Sequence, residues 1–145
     1  MSAEPHNPNT VAELLEGYEQ TTTLPVQWGD MDAFGHVNNV VYIRWFESAR
    51  IDLLNALQSS VTMDAGGIGP ILASVKCDYK RQLHFPDTVH IGSRRGKMGR
   101  TSADIEHVVV SERQQAIVAT GVSVLVIFDY DTNRPVRIPD DLRAN

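Results

Sequence analysis

Residues 71–79, ILASVKCDY, place Ile71, Ala73, Val75, Cys77 and Tyr79 on one side and Ser74, Lys76 and Asp78 on the other, the period of a strand with one buried face. Residues 88–95 and 101–110 are shorter strand candidates, with 96–99 turning the chain between them. After a turn at 111–115, residues 116–129 are almost wholly apolar or small, as expected of a strand near the centre of a sheet. Earlier in the chain, TTTLPVQW at 21–28 is rich in β-branched side chains and predicts a first strand, in which Pro25 requires an edge or a bulge.

A helical period governs residues 39–57. Tyr42, Phe46, Ala49, Leu53 and Leu57 share one stripe, and Arg44, Ser48, Asp52 and Asn55 share another. Val41, Trp45 and Leu54 widen the apolar face, so this helix, about 28 Å long, needs cover on more than one side. A Gly-rich turn cluster at 58–70 returns the chain to the sheet. One strand, one long helix and four strands in succession predict an α+β domain whose antiparallel five-stranded sheet folds around the helix. The domain spans 20–129. Residues 1–19 form an N-terminal tail, with a turn or two of helix at 11–18 capped by Thr10, and residues 130–145 a C-terminal tail lying over the body.

Composition narrows the partners. At 145 residues, with 42% hydrophobic and 21% charged residues, the chain suits a single soluble core. A formal net charge of −5 argues against general nucleic-acid binding. No apolar run approaches the ~20 residues of a membrane span and no signal peptide opens the sequence, so a cytoplasmic protein without membrane association is expected. Cys77 is the single cysteine, which excludes an intrachain disulfide; it reads as core.

The candidate chemistry gathers in residues 28–39, WGDMDAFGHVNN, a polar loop feeding the long helix. Asn38 or Asn39 can cap that helix, whose first turn offers free N–H groups and partial positive charge to a developing oxyanion. Asp30 and Asp32 are the nearby carboxylates. An aspartate beside a turn glycine usually bonds its own backbone, a structural reading that suits Asp30 next to Gly29. His36 can orient a carboxylate, touch substrate or act as a structural donor. Asp30, Asp32 and His36 match no strong metal motif, and the chain has neither a G-x-S-x-G elbow nor a phosphate loop at GGIGP, 66–70. Glu47 and Arg50, three apart on the helix, can pair as structural charges. A basic run at 93–100, with Arg94, Arg95, Lys97 and Arg100, is either a charged hairpin end or a phosphate clamp.

The run D-M-D-A-F-G-H-V-N-N followed by Tyr42, Trp45, Phe46, Glu47, Ala49 and Arg50 resembles the acyl-CoA thioesterases of the 4-hydroxybenzoyl-CoA thioesterase type, which have the hotdog fold. The resemblance implies that Asp32 acts on the thioester as nucleophile or general base and that the backbone N–H of Asn39 holds the thioester oxygen; His36 and Asn38, from the same stretch, are the candidate substrate contacts beside them. G-R-T-S at 99–102 resembles the family's turn near the CoA nucleotide, which makes Arg100 the best phosphate contact and adds Arg94, Arg95 and Lys97 by proximity. The implied enzyme hydrolyses acyl-CoA to CoA and a free acid without metal or organic cofactor, as a homodimer or homotetramer with sites between subunits. Two other functions fit the same residues: a non-catalytic acyl-CoA-binding hotdog module, and an acyl-carrier-protein thioesterase whose basic patch meets an acidic protein.

Overall fold

The structure is a computed structural model and describes residues 10–58, 60–61 and 67–143. After a short helix α1 (Val11–Leu14), capped by the Thr10 hydroxyl as expected, the chain forms β1 (Gln20–Val26), a 3-10 turn (Trp28–Asp30) and the long helix α2 (Asn39–Leu57). Strands β2 (Ile68–Tyr79), β3 (Asp87–Met98), β4 (Ser102–Ser111) and β5 (Ala116–Asp129) follow, then a two-residue β6 (Arg134–Pro135) and α3 (Asp140–Arg143). The sheet runs β1-β3-β4-β5-β2, every pair antiparallel, with β6 attached to the end of β5. This is the hotdog architecture: a curled five-stranded sheet around one main helix. Pro25 falls on β1, an edge strand, where its missing N–H costs no ladder bond.

The helix packs closely because β5 gives it room. A Cβ added at Gly121 would lie 2.5 Å from the Phe46 ring, so only glycine lets the aromatic stripe of α2 approach the sheet there. The core has two halves along the helix. Tyr42, Trp45, Phe46 and Ala49 pack with Val89, Ile91, Val109 and Ala119; Leu53 and Leu54 pack with Ile105, Leu125, Ile127, Ile138 and Leu142. A buried polar layer lies at the join, in which Arg50 donates to Ser123 Oγ at 3.0 Å and His107 sits between Ser93 and Ser123, stacked on Phe46. Burial, and then the Arg50 charge, push His107 down to about 3, so it is neutral at physiological pH. Residues after Asp129 contribute to the second half of the core through Ile138 and Leu142.

Three expectations need correction. Arg50 turns inward to Ser123 rather than bonding Glu47. Gly96 belongs to β3, and the turn is confined to residues 99–101. The alternation in β2 changes phase at a bulge between Leu72 and Ser74. Leu72 pairs with buried Leu125 and faces the helix, whereas Ile71 pairs with Val126 on the other face; beyond the bulge Val75, Cys77 and Tyr79 face the helix as read. Ser59 and residues 62–66 of the turn cluster lie outside the described residues, as do residues 1–9 of the tail. Among the described residues no helix is long and apolar enough to cross a membrane.

Candidate active site

The loop from Trp28 to Asn38 is built around Asp30. Its carboxylate is buried and accepts from the backbone N–H of Gln27 at 2.8 Å and from the Arg44 guanidinium at 3.1 Å, while its carbonyl accepts from Asn38 N. Asp30 thus ties the end of β1 to the second turn of α2, the structural role expected of it. Asp32 stands two residues on, in a tight exposed turn. Asp32 N donates to His36 O at 2.8 Å, Gly35 N donates back to Asp32 O at 3.0 Å, and Gly35 adopts a φ of +80° that favours glycine. One carboxylate oxygen of Asp32 accepts from Phe34 N at 2.9 Å, which fixes the side chain and leaves the second oxygen available.

The helix starts as the turn ends. Asn38 is the cap: its side chain accepts from Val40 N at 3.1 Å and its carbonyl from Val41 N. The N–H of Asn39, first residue of the helix, has no intrahelical acceptor. A cleft of about 300 Å³ brings together Asp32, His36 and Asn39, with Tyr42 and Tyr79 on its wall and Lys80, Arg81 and Gln82 along its rim. Tyr79 donates its hydroxyl to Asn39 O at 2.9 Å and meets Tyr42 edge-on, so the end of β2 is pinned to the first turn of α2. Burial, then the neighbouring Cys77, push the Tyr79 phenol up to about 12, and burial raises Tyr42 as well; both stay neutral. His36 packs edge-on against His84, whose Nδ1 is 3.0 Å from Gly35 O. Among the described residues no three His, Cys, Asp or Glu side chains are placed to hold a metal ion.

The basic run lies elsewhere. Arg94 donates to Glu106 at 2.7 Å and covers the Tyr18 ring; Arg95 bonds Glu19 and donates to Leu142 O at 2.9 Å. These carboxylates raise both guanidinium groups further. Lys97 and Arg100 remain exposed, and Arg100 lines a separate depression with Arg137 and Arg143. That depression belongs to the far end of β3, whose near end, Asp87, pairs with Val26 just ahead of the loop from Trp28 to Asn38. The cleft residues that sequence reasoning left out of the site are Val37, Tyr42, Tyr79, Lys80, Arg81 and Gln82. The inward phase of Tyr79 was the one available signal, and it needed the knowledge that the end of β2 meets the start of α2.

Residues 26–145 match the family model described as the thioesterase-like superfamily. The chain belongs to that superfamily. The resemblance carried by residues 30–50 is borne out, and with it the enzyme class, a thioester hydrolase. Long-chain acyl-CoA thioesterase FadM of Escherichia coli K12 is 26% identical over 122 residues, 84% of this chain and 92% of that protein. A thioesterase from Thermus thermophilus, solved with coenzyme A and zinc, is 30% identical with a TM-score of 0.74, covering 88% of this chain and 96% of its own. Gentisyl-coenzyme A thioesterase BH1999 is 26% identical with a TM-score of 0.76, covering 86% of this chain and all (100%) of its own.

Proposed function

We propose that the protein hydrolyses acyl-CoA thioesters, with Asp32 as the acting carboxylate and the Asn39 N–H as the oxyanion donor. The observation that carries this reading is the shared cleft: a carboxylate oxygen left free and a helix N–H left without an acceptor line the same cavity. In the general-base form, Asp32 takes a proton from water as its oxygen bonds to the thioester carbon. The charge that develops on the carbonyl oxygen is held by Asn39 N–H, and the C–S bond then breaks to release CoA as thiolate. In the nucleophilic form Asp32 itself bonds to the carbon, the C–S bond breaks to release CoA as thiolate, and water then hydrolyses the mixed anhydride to the free acid and the Asp32 carboxylate. His36 would position the substrate beside Asp32. Asn38 contributes by capping, which fixes where the helix starts.

Either form needs a dry site, and three features support a second subunit as its cover. Trp28, Phe34 and Val40 around the cleft are 73%, 84% and 70% exposed. β2 ends the sheet as a twelve-residue edge with Ile71 and Leu72 exposed, a ready template for pairing with another copy. Finally, one chain keeps Lys97 and Arg100 away from its own cleft, so these two would reach a CoA nucleotide only from a neighbouring subunit. A homodimer or homotetramer with sites between subunits answers all three. A cavity of about 220 Å³ between α2 and the β2 edge, walled by Ile51, Leu54, Pro70, Leu72 and Leu125 with Glu47 and Arg50 as its charged members, offers room for an acyl group. The activity named for FadM is long-chain and that named for BH1999 aromatic, so the acyl group is a matter for assay. We place the enzyme in the cytoplasm, with the pools of its substrate.

The test is thiol release from a panel of short, long and aromatic acyl-CoA thioesters. Turnover of at least one with a kcat/KM above about 10⁴ M⁻¹s⁻¹ is expected. Binding of the whole panel without release would leave a non-catalytic acyl-CoA module, and release from acyl-carrier protein alone would make the carrier the substrate.

A further inference from the structure

One short segment, residues 79–84, touches both halves of the candidate active site. Tyr79, the last residue of β2, donates its hydroxyl to Asn39 O at 2.9 Å. His84 Nδ1 lies 3.0 Å from Gly35 O, and since a carbonyl only accepts, Nδ1 carries the proton and donates. Between them Leu83 O accepts from Val37 N at 2.9 Å. The sequence separates the side-chain partners by 40 and 49 positions, and the fold joins them. The segment is itself anchored to the sheet: Lys80 N and Arg81 N both donate to Val118 O, at 2.8 and 3.1 Å, and the Leu83 side chain is fully buried.

Each side-chain bond falls on backbone next to a group that reacts. The Asn39 N–H belongs to a helix end, which no preceding turn steadies. The peptide unit that follows it is gripped on both sides, its N–H by the Asn38 side chain at 3.1 Å and its carbonyl by Tyr79. With that unit held, the Asn39 N–H cannot swing without straining one of the two bonds. Across the cleft, Gly35 closes the turn of Asp32 through its N–H, and His84 holds the same residue by its carbonyl. Such restraint has a use beyond stability. An oxyanion donor acts only within about 2.7–3.1 Å of the developing charge, and a misplacement of about 1 Å can cost roughly a hundredfold in rate.

The carbonyl of Asn39 does not need the hydroxyl for its own satisfaction, because as a helical carbonyl it has the N–H four residues on for a partner. Tyr130 supplies the contrast. It donates its hydroxyl to Pro70 O at 2.9 Å, near the other end of β2, and is 45% exposed against 44% for Tyr79. The two bonds match in chemistry, length and exposure, and only that of Tyr79 meets the helix start.

We propose that Tyr79 and His84 are positioning residues for the hydrolysis: Tyr79 aims the Asn39 N–H, His84 steadies the turn that presents Asp32, and segment 79–84 thereby sets the separation of carboxylate and oxyanion donor. This inference rests on the reading of Asp32 and Asn39 as the acting groups.

The experiment compares Tyr79→Phe, Tyr130→Phe, His84→Leu and His84→Asn with wild type in the full chain. It measures kcat and KM on the acyl-CoA that wild type turns over best, melting temperature, and affinity for two CoA probes. One probe is a non-hydrolysable acyl-CoA thioether; the other is an acyl-CoA trifluoromethyl ketone, whose hydrate carries a tetrahedral oxyanion. Tyr79→Phe is expected to melt within a few degrees of wild type, to lose kcat about tenfold or more, and to keep KM within about twofold. Its affinity should fall about tenfold for the ketone and stay level for the thioether. Tyr130→Phe should keep its kcat. His84→Leu should lose kcat about fivefold, and His84→Asn, which restores an N–H donor, should recover most of it. A Tyr79→Phe variant that loses no more kcat than Tyr130→Phe overturns the proposal, as does an equal loss of both probes. Wild-type kcat in His84→Leu overturns the role of His84. If wild type hydrolyses none of the panel, the thioesterase reading fails and the probes still decide: a ketone preference that Tyr79→Phe abolishes keeps the positioning role, and the absence of any preference removes it.

Discussion

The two ends of α2 carry similar side chains to opposite purposes. At its start, Asp32 keeps one oxygen free, Asn39 N–H has no helical acceptor, and Phe34 and Val40 stand in solvent. Around its last turns, Leu53 and Leu54 pack with Ile138 and Leu142, and the nearby guanidinium groups of Arg94 and Arg95 are held by Glu106 and Glu19. The same contrast appears at short range between Asp30, buried on Arg44 and Gln27, and Asp32, exposed on a turn. A charge is available for chemistry where the fold leaves it unsatisfied, and serves stability where the fold has already paired it.

Acid should expose the join between the two ends with the largest effect. The unfolded chain takes up a proton at His107 near its ordinary value of 6.5, whereas the folded protein does so only near 3. The unfolded state therefore binds more protons throughout that window. The stability present above pH 6.5 falls by up to ~1.4 kcal/mol per pH unit on acidification, a loss of about 3 kcal/mol by pH 4. Denaturant titrations across this range should show that slope, and His107→Gln should abolish it while lowering stability at pH 7. A pH-independent wild type would show that His107 is not held neutral.

At the rear end, Leu142→Ala should cost about 3 kcal/mol through an emptied core position. Arg95→Ala should cost about 2 kcal/mol, because this half-buried side chain joins Glu19 to the Leu142 carbonyl. Arg94→Ala should cost under about 1 kcal/mol, since its pair with Glu106 is solvent-exposed. Chemical denaturation at pH 7 orders the three. If Arg94 cost more than Arg95, burial would not be what decides the worth of these pairs.

Much of the frame was legible in the sequence. The limits of α2 came from an apolar period that starts after an asparagine able to cap, and the order of strands followed from alternation and turns. Asp30 was readable as structural because Gly29 announced a turn. The bulge in β2 was not, since it is a property of backbone pairing that leaves the residue types unchanged. Nor was the fate of the basic run: Arg95 finds Glu19 at 76 positions' distance, so its neutralisation appears only once β1 and β3 pair.

The central claim is that Asp32 acts and Asp30 supports, and kcat at saturating acyl-CoA separates them. Asp32→Asn should fold with a near-normal melting temperature and lose kcat roughly a hundredfold or more, ~3 kcal/mol of transition-state stabilisation. Asp30→Asn should lose stability, by about 1–2 kcal/mol, and keep most of its kcat. A wild-type kcat in Asp32→Asn would contradict the account.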